Sequence, residues 1–119
     1  MAYNDPEFQI KREVVLPAPA AGAAGSTKFA LFAAAKVLQA QAVVKAAGTS
    51  ASSGAYLQVL QNGTTTLGTL LTGSATAGSI ITATLTGSLA AGDLITVLQG
   101  TDATNSVYGV TVQYTEAVV

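Results

Sequence analysis

The chain has 119 residues, a formal net charge of -1 and 9% charged side chains, against about 25% in an average soluble domain. It contains no Cys and no His, which excludes disulfides, thiolate chemistry and any catalytic or metal site that needs an imidazole. Five basic residues against six acidic ones also disfavour non-specific nucleic-acid binding, which needs a basic surface.

The first charged residues of the chain are acidic. Asp5 and Glu7 stand where a secretory signal peptide needs basic residues, so we expect no export signal. The long stretch between Lys45 and Asp93 has no charge, but Thr, Ser and Gly interrupt it too often for a membrane-spanning helix. A chain without Cys and without an export signal fits a protein that assembles inside a cell and is exposed later.

Residues 1–27 are predicted to form an N-terminal arm with an Ala/Gly-rich linker, and residues 28–119 a β-sandwich domain. The prolines of Pro17–Pro19 force extended backbone, and the small residues of Ala20–Ser26 form a flexible joint. Two interpretations of the segment Gln9–Leu16 remain open: a strand that adds to a sheet edge, or a frayed terminus.

The Ala-rich segment Lys28–Ala47 is ambiguous, because Ala favours helix whereas the residue pattern favours strands. From residue 37 to 46 the polar side chains stand at odd positions and every even position is apolar. This alternation is typical of a half-buried strand and places Leu38 on the buried face. We therefore predict two strands, Lys28–Ala34 and Lys36–Ala46, with a helix as the alternative.

From Ala55 onward the pattern is that of short strands. Tyr56–Gln61 runs into Asn62-Gly63, a pair that adopts positive φ in tight hairpin turns, and Thr64–Leu71 returns as the second strand. The remaining predicted strands, loops and turn are, in chain order, the loop Gly73–Ser79, the strand Ile80–Thr86, the turn Leu89–Asp93, the strand Leu94–Gln99, the loop Gly100–Ser106 and the strand Val107–Thr115.

Alternation assigns the faces of two of these strands. Thr82, Thr84 and Thr86 share one face of Ile80–Thr86, and Ile81, Ala83 and Leu85 share the other. In the last strand, the side chains of Tyr108, Val110, Val112 and Tyr114 share a face that we assign to the core.

Strands recur at a spacing of roughly 8–12 residues, which is typical of a sandwich or barrel. With the arm strand they number up to eight, which fits two packed antiparallel sheets. The predicted fold class is all-β: a jelly-roll-like antiparallel β-sandwich with an extended N-terminal arm.

The carboxylates offer no catalytic pair. Asp93 follows a turn glycine and is expected to accept hydrogen bonds from nearby backbone N–H groups. Asp102 and Asn105 share a loop, but one carboxylate and one amide make a weak calcium site, and a plain turn explains them better. Ser and Thr are plentiful without a partner base. We therefore predict no enzyme, no catalytic residue, no cofactor and no metal.

The arm carries the strongest functional signal. An aromatic side chain in a charged terminal arm is useful when it docks on something, so Tyr3, Phe8, Ile10 and Arg12 are predicted to contact a protein partner. A surface of few charges lacks the usual protection against association, which predicts an oligomer or a piece of an assembly, with a homotrimer as a plausible closed form.

Four stretches, in this order, resemble the small head decoration (cement) proteins of tailed bacteriophages. They are KVLQAQAVV at 36–44, LQNGT at 60–64, AAGDLITV at 90–97 and VTVQY at 110–114, and together they span about residues 28–116. The resemblance implies a jelly-roll-like sandwich, often trimeric, on the outer surface of the capsid, where it bridges neighbouring major capsid proteins.

The resemblance implies no catalytic residue, and the arm lies largely outside it. Contact of Tyr3, Phe8, Ile10 and Arg12 with the capsid is therefore our own prediction. The expected partners are the major capsid protein and two further copies in a homotrimer, with no nucleic acid, membrane or small-molecule substrate. The expected location is the outer capsid surface of a virion made in bacterial cytoplasm.

The alternative function is a glycan- or receptor-binding β-sandwich module of a phage fibre. Such a module would bind host sugar through exposed loops such as Gly100–Ser106. The absence of Trp and the small number of acids count against it.

Overall fold

The computed structural model describes residues 10–19, 26–46, 56–73, 75–101 and 106–116. Within these ranges the regular structure consists of nine β-strands without a helix. The strands are β1 (Lys11–Pro17), β2 (Ser26–Ala30), β3 (Ala35–Ala46), β4 (Tyr56–Gln61), β5 (Thr65–Leu71), β6 (Ile80–Thr84), β7 (Ser88–Leu89), β8 (Leu94–Gln99) and β9 (Ser106–Glu116).

The strands form two antiparallel sheets. Sheet A has the order β1-β9-β3-β6, with the short β7 also paired to β3, and sheet B has the order β2-β8-β4-β5. When β7 is left out, the first strand pairs with the last, the second with the second last, the third with the sixth and the fourth with the fifth. Wrapping one long hairpin into two sheets in this way gives a jelly roll, so the predicted fold class is confirmed.

The core lies between the inner faces of the two sheets. Leu57 and Val59 of β4 and Val97 of β8 are completely buried on the side of sheet B, and Ala40 of β3 and Val112 of β9 on the side of sheet A. Burial of one Val or Leu side chain contributes about 1.5–3 kcal/mol to folding.

β3 is a strand, so the helical alternative for residues 28–47 is wrong where the structure describes them. The even positions 40, 42 and 44 are buried as the alternation predicts. The prediction for Leu38 is wrong, because the register against β9 shifts between Val37 and Gln39. The extra residue of this β-bulge turns Val37 inward and leaves Leu38 half-buried on the outer side.

A second irregularity corrects the predicted face of Tyr108. Ala42 pairs with Val110, but Val44 pairs with Val107, so β9 uses one more residue than β3 over this interval. The alternation therefore changes phase: Val107 is buried and Tyr108 is 71% exposed. Val110, Val112 and Tyr114 are buried as predicted, whereas Tyr108 is not a core residue.

Two strands end earlier than predicted. The strand predicted over Lys28–Ala34 is β2, which runs from Ser26 to Ala30, and the strand predicted over Ile80–Thr86 ends at Thr84. After Thr84 the chain bridges the two sheets, because the Leu85 N–H donates to Leu38 O at 2.9 Å in sheet A and the Thr86 N–H to Leu67 O at 3.1 Å in sheet B. Ile81, Ala83 and Leu85 share one side as predicted, and that side is the core: Leu85 is buried in it, and Ile81 and Ala83 pack against it.

Gly68 of β5 makes room for this bridge. A Cβ at Gly68 would lie 2.5 Å from Leu85 Cδ2 and 3.1 Å from the Thr84 carbonyl oxygen. A larger residue at this position therefore requires the buried Leu85 side chain to move and crowds the Thr84 carbonyl, which explains glycine inside a strand.

Part of the predicted arm belongs to the sandwich. β1 pairs with β9 from Lys11↔Thr115 to Pro17↔Gly109, which agrees with the sheet-edge interpretation of this segment. Leu16 is buried in the core, and the Thr27 hydroxyl donates to Pro17 O at 2.9 Å. The sandwich therefore starts before residue 28, whereas residues 1–9 and 20–25 lie outside the described residues.

The turn chemistry agrees with the sequence. Asn62 and Gly63 adopt φ values of 53° and 77°, as the predicted hairpin requires. The Asp93 carboxylate accepts hydrogen bonds from Ala90 N (2.9 Å), Gln61 Nε2 (2.9 Å) and Asn62 Nδ2 (3.2 Å). These bonds, the one from Ala90 first, hold the pKa of Asp93 below its ordinary value. They join two turns at one end of sheet B.

Candidate protein-binding surface

The described carboxylates, Glu13, Asp93 and Glu116, are each engaged in a structural contact. Asp93 links two turns through its hydrogen bonds, and the Glu116 carboxylate forms an ion pair with Arg12, with Nε and Oε1 3.1 Å apart. Among the described residues, no group of three or more His, Cys, Asp or Glu side chains is placed to hold a metal ion. Asp102 and Asn105, the weak calcium candidates, lie outside the described residues.

The described part of the chain contains no helix with the length and hydrophobicity needed to cross a membrane.

The centre of the outer face of sheet A is polar. The first of its two central rows across the sheet consists of Glu13, Gln113, Gln39 and Thr84, and the second of Val15, Thr111, Gln41 and Thr82. The first row is linked by Gln39 Nε2 to Gln113 Oε1 at 3.1 Å, and the second by Gln41 Nε2 to Thr82 Oγ1 at 3.4 Å. Side-chain amides thus order this face, and Gln113 Nε2 also donates to the Glu13 carboxylate at 3.5 Å.

One end of the same face is apolar. Tyr108, Val15 and Ile80 are 71%, 67% and 63% exposed, and Val43 pairs directly with Ile80 across β3 and β6. We call the surface formed by Val15, Val43, Ile80, Tyr108 and Gly109 the Tyr108 patch. Clustered exposed apolar side chains of this kind mark interaction surfaces.

The patch contains a groove beside the tyrosine ring. Val15, Val43, Tyr108 and Gly109 all line it. Gly109 forms part of the floor, and a Cβ there would lie 3.4 Å from Leu16 O and 3.5 Å from Val15 Cγ1, which is ordinary contact. Alanine therefore fits at this position but makes the groove shallower.

A second depression lies on the other side of the tyrosine. It is lined by Pro17, Ala18, Pro19, Lys45, Ser106, Val107 and Tyr108. The Lys45 ammonium lies 5.9 Å from the centroid of the Tyr108 ring, a distance at which a cation is attracted to an aromatic face. Tyr108 thus stands between two hollows with a cation beside it.

The predicted contact residues lie at the opposite end of β1. Ile10 is 72% exposed, and Arg12 forms the ion pair with Glu116. Tyr3 and Phe8 lie outside the described residues. Because β1 spans 7 residues, its two ends lie about 20 Å apart. Arg12 lies three residues before Val15, the β1 member of the Tyr108 patch, which is about 10 Å along a strand, and Ile10 lies two residues further away.

Sequence reasoning missed the Tyr108 patch, because it extended one alternation through all of β9. The available signal was Gly109, a single glycine inside a strand pattern, which often marks a bulge. A bulge next to Gly109 reverses the faces of the residues before it, which moves Tyr108 from the core to the surface.

No protein-family model, curated protein or solved structure matches the chain. The fold, the exposed side chains and the groove are therefore the basis for a functional conclusion.

Proposed function

We propose that the protein is a structural virion protein that binds the outside of a bacteriophage capsid as a decoration (cement) protein. It would bridge and stabilise neighbouring major capsid proteins. The observation that supports this most is a jelly roll whose exposed apolar side chains gather on sheet A, beside rows of polar side chains that include Gln39, Gln41 and Gln113. Such a surface is suited to broad contact with another protein.

Charge distribution also favours a protein partner. Among the described strands, those of sheet A carry six charged residues and those of sheet B one, Lys28. Charged side chains around a docking surface set the orientation of the partner, and a centre of amide and hydroxyl side chains avoids the desolvation cost of burying charges. The amide rows of sheet A can exchange water for backbone or side-chain groups of a partner.

The N-terminal segment is the proposed first contact, through Tyr3, Phe8, Ile10 and Arg12. The Arg12–Glu116 pair is about half exposed on both sides, and exposed ion pairs are worth about 0–1 kcal/mol. Arg12 can therefore exchange Glu116 for a carboxylate of the shell at little cost. Ile10 adds an apolar side chain that is already exposed.

Attachment gains strength when several copies act together. Ordering a terminal segment costs about 1–2 kcal/mol per residue, so a single segment binds weakly. In the proposed homotrimer, binding of one segment makes binding of the others intramolecular, which raises affinity by about 100-fold or more. A protein that holds several capsomers at once raises the work needed to separate them.

Co-sedimentation with empty shells tests the role of the N-terminal segment. The shells are assembled from the major capsid protein of the same virus, and the variant replaces Phe8, Ile10 and Arg12 together by Ala. We expect an unchanged melting temperature and at least about 10-fold weaker binding. The matched control is Phe32→Ala, since Phe32 is fully exposed elsewhere. Equal occupancy by the triple variant and the wild type would reject the segment as a contact.

A further inference from the structure

We infer that the Tyr108 patch is a second contact with the capsid shell, and that its occupant is an extended segment of the major capsid protein with an aliphatic side chain next to a carboxylate. The inference rests on the proposed function and specifies the surface and the partner chemistry that this function uses. It assigns a binding role to residues at the end of β1 remote from the N-terminal segment.

The exposure of the patch is the first argument. Tyr108, Val15 and Ile80 are each more than half exposed. Val15 and Tyr108 line one groove with Val43, and Val43 pairs with Ile80 on the next strand. Phe32 and Leu71 are also exposed but lie in the β2–β3 connection and in β5. Single exposed side chains are ordinary, whereas a contiguous group beside a groove is typical of an interface.

The shape of the groove determines what fits. Tyr108, Val15 and Val43 line the groove together with Gly109, which adds no side chain to it, so the groove can take a small aliphatic group. A rigid aromatic ring next to a small pocket is the usual form of an anchor site in protein interfaces.

The charge of Lys45 favours a carboxylate next to that aliphatic group in the partner segment. Among the described residues that line the two hollows beside Tyr108, Lys45 is the one that is charged. A carboxylate at the rim of the groove gains from this cation, whereas a basic group is repelled. The ammonium also lies over the tyrosine ring, which leaves less of that ring free for a flat sugar.

The edge of sheet A favours an extended partner. In the described sheet, β1 has one neighbouring strand, β9. The first half of β1 carries Lys11, Arg12 and Glu13, which discourage strand addition, but Val14, Val15 and Leu16 have no charge. A segment that runs along this second half can place alternate side chains toward the groove.

Binding of variants to the same empty shells tests the inference, with affinity measured by co-sedimentation over a range of protein concentrations. We expect Tyr108→Ala to weaken binding by about 10-fold or more, the range of an interface anchor, while Tyr108→Phe stays within about 2-fold because the ring is kept. Lys45→Glu is expected to weaken binding more than Lys45→Gln, and Lys45→Gln to reduce the salt sensitivity of binding, of which the Arg12 contact supplies the rest. Phe32→Ala serves as the exposed aromatic control.

Gly109→Ala keeps the test valid if a change at Tyr108 disturbs folding, because the added methyl meets ordinary contacts. It should lower shell affinity with an unchanged melting temperature. Shell binding by the wild type with no loss in Tyr108→Ala, Gly109→Ala and Lys45→Glu overturns the inference and leaves the proposed function standing. No shell binding by the wild type overturns both.

Light scattering separates the other possible occupant, a second copy of this chain. If the patch variants lower the solution mass of the protein but leave the affinity of each chain for the shell unchanged, the patch is an interface between copies of this chain. The inference is then wrong. An unchanged mass together with weakened shell binding supports it.

Discussion

The outer faces of sheets A and B differ, although their inner faces are built alike. On sheet A, exposed valines, Ile80 and Tyr108 collect at one end of a face with amide rows and peripheral ions. On sheet B, Leu60 and Thr96 lie opposite each other on the outer face of β4 and β8, yet both are almost fully buried. The difference identifies sheet A as the face with apolar surface available to a partner.

The two sheets also differ in how local their determinants are. The hairpin of sheet B follows from Asn62-Gly63 alone, and the Asp93 turn follows from residues within three positions. In sheet A, β1 pairs with a strand about a hundred residues away, as in Arg12↔Tyr114. The conformation of a turn is determined by neighbouring residues, whereas the position of β1 at the edge of sheet A depends on pairing with a strand distant in sequence.

The largest expected effect concerns buried leucines, and it tests whether a core residue of β1 contributes as much to stability as one of sheet B. Leu57 of β4 and Leu16 of β1 are 0% and 4% exposed. Truncation of either to Ala should lower the free energy of unfolding by about 2–5 kcal/mol, through lost burial and the cavity that remains. The exposed Leu71→Ala is the control and should stay within about 0.5 kcal/mol.

Urea unfolding of the three variants measures these differences. If Leu16→Ala lowers the free energy of unfolding as little as Leu71→Ala does, Leu16 contributes little to the core and β1 is a weakly attached arm.

Two glycines sharpen the comparison with an intermediate effect. A methyl at Gly68 meets Leu85 Cδ2 at 2.5 Å, whereas one at Gly109 finds ordinary contacts. We expect Gly68→Ala to destabilise the fold by about 1–3 kcal/mol through overpacking, and Gly109→Ala by less than about 0.5 kcal/mol. Thermal unfolding of the pair checks this, and equal melting temperatures would contradict the close approach of β5 to the Leu85 bridge.

The smallest expected effect concerns pH and sheet B. The hydrogen bonds to Asp93 lower its pKa from 3.8, so the unfolded chain binds the proton more tightly than the folded one. Stability from this group is present above that ordinary pKa and is lost as pH falls through the lower folded value. Melting temperatures from pH 6 to pH 2 should therefore fall less in Asp93→Asn than in the wild type. Parallel curves would show that the carboxylate does not link the two turns.

The sequence was sufficient for the fold class and for features set by neighbouring residues. Alternation predicted the buried positions 40, 42 and 44 of β3, and residue chemistry predicted the turns at Asn62-Gly63 and Asp93. It failed at Leu38 and Tyr108, because bulges arise from pairing between β3 and β9 and reverse the face of every residue beyond them.

The candidate surface was predictable only in part, for the same reason. Ile10 and Arg12 were identified from their composition and position in a charged terminal segment, and their contact role stays a prediction. The Tyr108 patch required the register of three strands, β1, β9 and β3, which together align Val15, Gly109 and Val43.

Electron cryomicroscopy of empty shells incubated with the wild-type protein tests the central claim most directly. We expect ordered jelly-roll density on the outer surface, between neighbouring major capsid proteins, with the β1 side of sheet A against the shell and side-chain density in the groove beside Tyr108. Bare shells at saturating protein concentration would contradict capsid binding. Decorated shells with sheet A turned to solvent would contradict the assignment of the docking face.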